Sequence, residues 1–118
     1  MAVSATFRTF VLEQLGRVTP NVRARNMFGG VGIYAGEYFF ALIADDTLYF
    51  KVDDVTREAY VARGLGPFRP YGDDGGAMHY YQVAEEVLED SDALVSWVVD
   101  AITVSQRAKR RPRRQGSA

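Results

Sequence analysis

The sequence predicts an α+β domain: a two-layer sandwich with helices on one face of an antiparallel sheet, in the order α-β-β-β-α-β-β-α. Three observations carry this. Apolar residues recur at helical spacing over 4–16 and again from 91 onward. Between 28 and 52 the period falls to two, in short runs parted by tight turns, which build an antiparallel meander. A further strand-like run, 77–83, is followed by a helical pattern, so helices flank the sheet sequence and pack on it as a second layer. The 118 residues, 47% apolar and 25% charged, suit one soluble globular domain with one core.

Ser4 is placed to cap the first helix, predicted over 4–16, with Phe7, Phe10, Val11, Leu15 and Val18 on its apolar face. Gly16 marks its stop and Pro20 lies beyond it. Val31 and Ile33 share a face of the first strand. Tyr38 to Ile43 is nearly all apolar and suits a central strand. In Thr47–Val52, Leu48, Phe50 and Val52 alternate inward, which turns Thr47, Tyr49 and Lys51 the other way. Asp53 or Asp54 caps a second helix, with Val55, Ala59 and Ala62 on its inner side and Gly64 at its end. Two prolines make 66–71 extended, a fourth and edge strand. After the loop 72–76 comes the fifth strand, 77–83, then an acidic connector, 85–90. Ser91 caps the last helix, with Leu94, Val98, Ala101, Ile102 and Ser105 on one stripe and Trp97 beside it.

Charge divides the chain. Residues 106–118 hold six bases (Arg107, Lys109, Arg110, Arg111, Arg113, Arg114) and no acid, +6; the residues before them hold eight bases and fifteen acids, −7. The expected organisation is a domain over 1–105 and a basic, disordered tail over 106–118. The chain has no cysteine, which excludes disulfides, a thiol nucleophile and cysteine metal sites and fits a reducing cytoplasm. No signal-peptide pattern opens the sequence and no apolar run is long enough to span a membrane, so a cytoplasmic location is expected.

Four glycines in "GGVGIYAG" (29–36), after Arg23 and Arg25, look like a phosphate loop. A phosphate loop ends in Gly-Lys-Ser/Thr and opens a helix, whereas here no lysine follows and the next element is a strand. Gly30 and Gly32 fit the first two glycines of a dinucleotide fingerprint, but Ala35 stands at the third. The glycines therefore serve the chain path: Gly29 and Gly30 where it swings from the first helix into the sheet, Gly32 where something packs closely on the strand.

The motifs "NMFGGVGIYAG", "FALI", "LYFK" before acidic "DD", "GPF", "HYYQV" and "LVSW" occur in this order over roughly 5–103. Together they resemble the TfoX/Sxy N-terminal domain family. The motif residues are Met27, Phe28, Gly29, Gly30, Gly32, Lys51 and Trp97. The resemblance implies a secretion-chaperone-like α+β sandwich and a bacterial regulatory or adaptor domain, non-enzymatic and linked to transcription or competence regulation. It supplies no catalytic residue and no cofactor. Full-length relatives carry a C-terminal helical domain; here the basic tail stands in its place, as expected of a single-domain member.

Other chemistry has few candidates. His79, the only histidine, lies in a predicted strand after Asp73 and Asp74, the one centre a small enzyme would have. The acid pairs fall at turns and caps, and no metal site is expected. Tyr34, Tyr38, Tyr49, Tyr80 and Tyr81 lie in strands whose second face the helices leave open, good material for a protein partner or a homodimer. The tail offers nonspecific phosphate contact through Arg107, Lys109, Arg110, Arg111, Arg113 and Arg114.

Overall fold

The computed structural model describes residues 4–27, 29–69 and 79–110, with the backbone alone at Arg110. The elements are α1 (Ala5–Val18), β1 (Val22–Met27), β2 (Gly30–Ala35), β3 (Tyr38–Ala44), β4 (Thr47–Lys51), α2 (Arg57–Ala62), β5 (Tyr80–Gln82), α3 (Glu85–Leu88) and α4 (Ser91–Arg110). The strands form one antiparallel sheet in the order β1-β2-β3-β4-β5. The α+β class and the antiparallel meander are as expected. Two details differ. Residues 22–27 form a strand where the sequence predicts none, and Gly29 and Gly30 therefore sit in a hairpin rather than between helix and sheet. Residues 66–68 make only a bridge, Pro67 opposite Tyr81, with Phe68 donating to the Tyr80 carbonyl at 2.8 Å and Gln82 to that of Gly66 at 2.9 Å.

Helix boundaries follow local chemistry. Ser4 accepts from the Phe7 amide at 3.1 Å, capping α1 as expected. Gly16 does not stop this helix, which runs two residues further, to Val18. The Asp53 carboxylate accepts from the Val55 and Thr56 amides at 3.0 and 2.8 Å, and Thr56 Oγ1 accepts from the Asp53 amide at 3.0 Å. This reciprocal turn leads into α2, and the amides at Thr56 and Val55 hold the Asp53 carboxyl below its usual range. Val55, Ala59 and Ala62 do not face inward: Val55 is 77% exposed, and α2 docks through buried Tyr60. Asp90, rather than Ser91, caps α4, accepting from the Asp92 and Ala93 amides.

The core lies between the helices and one sheet face. Val31, Ile33, Ala41, Ile43, Leu48 and Phe50 meet Val11 and Leu15 of α1 and Leu94, Val98 and Ala101 of α4. The register shifts between Ile33 and Tyr34: Ile33 pairs with Ala41, Tyr34 with Phe39, and Phe40 is the extra residue of a bulge. Phe40 thereby reaches the core beside Phe50, at 5.9 Å between rings, while Phe39 stays with Tyr34 on the opposite face. Burying a phenylalanine of this kind stabilises by about 2–3 kcal/mol. Gln14 and Ser105, both buried, donate to the carbonyls of Leu88 and Phe39 and so add polar ties within the helical layer and from α4 to the sheet. Among the described residues no helix is long and apolar enough to cross a membrane.

Candidate partner-binding face

The glycine motif is a hairpin built for close approach. Met27 pairs with Gly30 across a two-residue turn whose second member, Gly29, has φ +79°. A Cβ on Gly30 would stand 2.5 Å from the Ile43 carbonyl oxygen. At Gly32 the obstacles are side chains: Met27 Cε at 2.6 Å and Phe39 Cε1 at 3.1 Å. Gly32 is thus the hollow that Met27 and Phe39 fill on the face away from the helices. Phe28 lies outside the described residues.

That face carries a row of rings with a cation at each end. Arg23 lies 5.1 Å over Tyr34, Tyr34 stacks on Phe39 at 5.1 Å, Phe39 meets Tyr80 at 5.6 Å, and Lys51 Nζ lies 5.1 Å over Tyr80. Tyr49 and Phe68 form a second pair at 5.1 Å. Strand alternation produces the row, since Arg23 pairs with Tyr34, Tyr34 with Phe39 and Lys51 with Tyr80. Arg23 also donates twice to the Gly36 carbonyl, at 3.1 and 2.9 Å, which fixes its guanidinium over the ring. Burial pushes the Tyr80 hydroxyl up to about 12, with Tyr34 adding to the effect. It also lowers Lys51, because an ammonium loses hydration there. The Tyr49 hydroxyl is raised by burial and then by the nearby Asp45 carboxylate.

Not every expected tyrosine belongs to this face. Tyr34 and Tyr49 do; Tyr80 lies on the same side of the sheet but is buried, so it supports the neighbouring rings rather than meeting a partner. Tyr81 pairs with Phe50 and lies 6.0 Å from Tyr60, on the helix side, so it leaves the candidate face. Tyr38 pairs with Ala35, one step from the outward Tyr34–Phe39 pair, and so points the other way, lining a pocket with Phe39, Lys51, Ser105, Ala108 and Lys109 at the end of α4. Phe39, Phe68, Arg23 and Arg25 belong to the face in addition to the tyrosines the sequence predicts. The alternation Arg23-Ala24-Arg25 is the sequence signal that places the two arginines on one side of a strand. Trp97 sits in the helical layer, edge-on to Tyr60 at 4.8 Å and under Arg63 at 5.4 Å, and ties α2 to α4.

The remaining candidates separate. His79 is exposed, and its carbonyl accepts from the Val52 amide at 2.8 Å. Asp73 and Asp74 lie outside the described residues. Among the described residues no three histidine, cysteine or acidic side chains gather as a metal site. The expected boundary after Ser105 falls inside α4, which carries Arg107, Lys109 and Arg110 on a helix rather than on a disordered tail. Arg107 lies 3.5 Å from the Asp53 carboxylate. Arg111, Arg113 and Arg114 lie outside the described residues. A search of curated proteins finds no match. The family model for the TfoX N-terminal domain matches residues 13–105. The chain belongs to the TfoX N-terminal domain family.

Proposed function

We propose that this is a bacterial regulatory domain that works in the cytoplasm by binding a protein, through the sheet face that carries Tyr34, Phe39 and Tyr49. The observation that supports it is the row of rings between Arg23 and Lys51, on the face away from the helical layer. Aromatic side chains flanked by cations give large contact area with fixed polar handles, the composition of interface centres. Membership of a family of competence regulators agrees with a role in binding. A second copy of the chain is one candidate occupant. The test compares the full chain with a Tyr34→Ser, Tyr49→Ser double variant in cross-linked partner capture and in sedimentation. Loss of capture or of self-association, with an unchanged circular dichroism spectrum, is the expected result. A wild-type protein that stays monomeric and captures nothing refutes the proposal.

A second reading rests on the basic end of α4 and the residues after it. Six cations over 107–114 would hold phosphates without sequence preference, by releasing counterions. Because α4 extends to Arg110, cutting at Ser105 would remove helix as well as charge. Replacing Lys109, Arg110, Arg111, Arg113 and Arg114 by glutamine removes five of these six charges without cutting the helix. Steeply salt-dependent DNA binding that this variant loses would support the second reading; equal binding by both proteins would refute it.

A further inference from the structure

β1 is the outer strand of the sheet, and among the described residues nothing pairs with its free side. The opposite edge differs, because residues 66–68 lie along β5 there. The pairing of β1 with β2 decides what the free side offers. The Gly36 amide donates to the Asn21 carbonyl, and the register then alternates through Arg23–Tyr34, Arg25–Gly32 and Met27–Gly30. In an antiparallel ladder the hydrogen-bonded pairs alternate with unbonded ones. Arg23, Arg25 and Met27 therefore bond inward to β2, and the amides and carbonyls of Val22, Ala24 and Asn26 point outward.

A strand added there would bond to Val22, Ala24 and Asn26. Its residues opposite Arg23 and Arg25 would then stand in unbonded pairs, where side chains come closest. Arg23 and Arg25 are exposed, share one face and stand two residues apart. Among the described residues the Arg25 side chain has no ion pair or hydrogen bond, and the Arg23 guanidinium, which donates to the Gly36 carbonyl and lies over Tyr34, has no acidic partner. A second copy of β1 would set arginine against arginine, which like charges oppose. Charge also separates along the chain: residues 4–27 hold four arginines and one acid, whereas acids dominate 85–100.

We propose that β1 is a docking edge for an extended acidic segment of another protein, which joins the sheet as a further strand with acids at alternate positions opposite Arg23 and Arg25. Backbone pairing would supply affinity, and the two arginines would select the partner and its register. The inference rests on the reading of the domain as a protein-binding module but uses the sheet edge rather than its face.

The experiment is fluorescence anisotropy with the full chain and a short peptide alternating valine with glutamate. Controls are the same composition with the glutamates grouped together, the alternating peptide N-methylated on one side, and an oligothymidylate. The alternating peptide is expected to bind, and grouping or N-methylation to weaken it about tenfold or more. Arg25→Glu should weaken it by a similar factor and gain affinity for a valine–lysine peptide. Equal binding of alternating and grouped peptides, indifference to N-methylation, or binding of the oligonucleotide alone would overturn the proposal. The Tyr34→Ser, Tyr49→Ser variant keeps the two readings apart: lost partner capture there, with no peptide binding, sinks the edge and leaves the face.

Discussion

Replacing Gly30, Gly32 and Gly29 by alanine, one at a time, would weigh three different reasons for glycine in one hairpin. A Cβ on Gly30 would lie 2.5 Å from the Ile43 carbonyl oxygen and 3.6 Å from its carbon. Carbon–oxygen contacts between strands settle at about 3.3–3.6 Å, so β2 and β3 would have to part by roughly 1 Å. Ile43 is fully buried, and the obstacle is main chain that cannot rotate away. Overpacking of this kind costs about 1–3 kcal/mol, and a backbone obstacle places Gly30→Ala at about 2–3 kcal/mol. At Gly32 the nearest atom is the end of a methionine, which can swing aside, and alanine also reduces the freedom of the unfolded chain. Gly32→Ala should stay within about 1 kcal/mol of wild type. Gly29→Ala meets no atom within 4 Å but keeps φ +79°, a strain of about 1–2 kcal/mol. Urea unfolding with midpoints at constant slope measures all three, and thermal midpoints should fall by about 4 °C for each kcal/mol. A Gly30→Ala protein within about 0.5 kcal/mol of wild type, or a Gly32→Ala protein less stable than Gly30→Ala, would refute the steric argument.

Asp53→Ala should destabilise by about 1 kcal/mol, since it leaves the Val55 and Thr56 amides without their acceptor. Because the Asp53 carboxyl is held below its usual range, its contribution is present above the ordinary carboxylate pKa and is lost as pH falls through the folded value; acid unfolding of the variant should therefore begin from a smaller stability and show a shallower slope. Trp97→Ala removes the edge contact to Tyr60 and the ring beneath Arg63, and should cost about 3 kcal/mol, with hydrogen exchange speeding first in α2. An α2 that stays protected would contradict the assigned role of Trp97. Lys51 has a folded pKa below the ordinary 10.5, so the native state binds fewer protons there and wild-type stability gains relative to Lys51→Met as pH rises between the folded value and 10.5. Parallel pH profiles of the two proteins would show that burial of the ammonium carries no cost.

Much of the fold was legible in the sequence, and what was legible is local. Ser4 caps the helix it precedes because its hydroxyl needs only an amide three residues on. Leu48, Phe50 and Val52 alternate inward because a pleat has period two whatever lies across from it. The paired aspartates at 45 and 46 turn the chain, both with positive φ, which aspartate tolerates. The acidic start of α2 was found as well. Its inner face was not, because a helix of six residues presents too few positions to show a stripe, and Tyr60 alone meets Tyr81 and Trp97.

The candidate face was legible only in part, for a related reason. Tyr49 was placed on the open side by its neighbours' alternation alone. Tyr81 faces the helices, against expectation, because its side depends on pairing with Phe50, thirty-one residues earlier. β1 was hidden by Arg23, Arg25 and Asn26, polar residues whose strand geometry comes from β2 rather than from their own propensity. The fold class, the family, the Ser4 cap, the turns and the inward side of the central strands can be read from the chain alone, since each follows from chemistry within a few residues or from an ordered set of motifs. Which rings share the open face, that Gly30 leaves no room for a Cβ beside the Ile43 carbonyl, that Trp97 ties two helices together and that β1 is an edge emerge only in the folded chain. Each of those depends on pairing between distant segments, whose register is settled when the core closes.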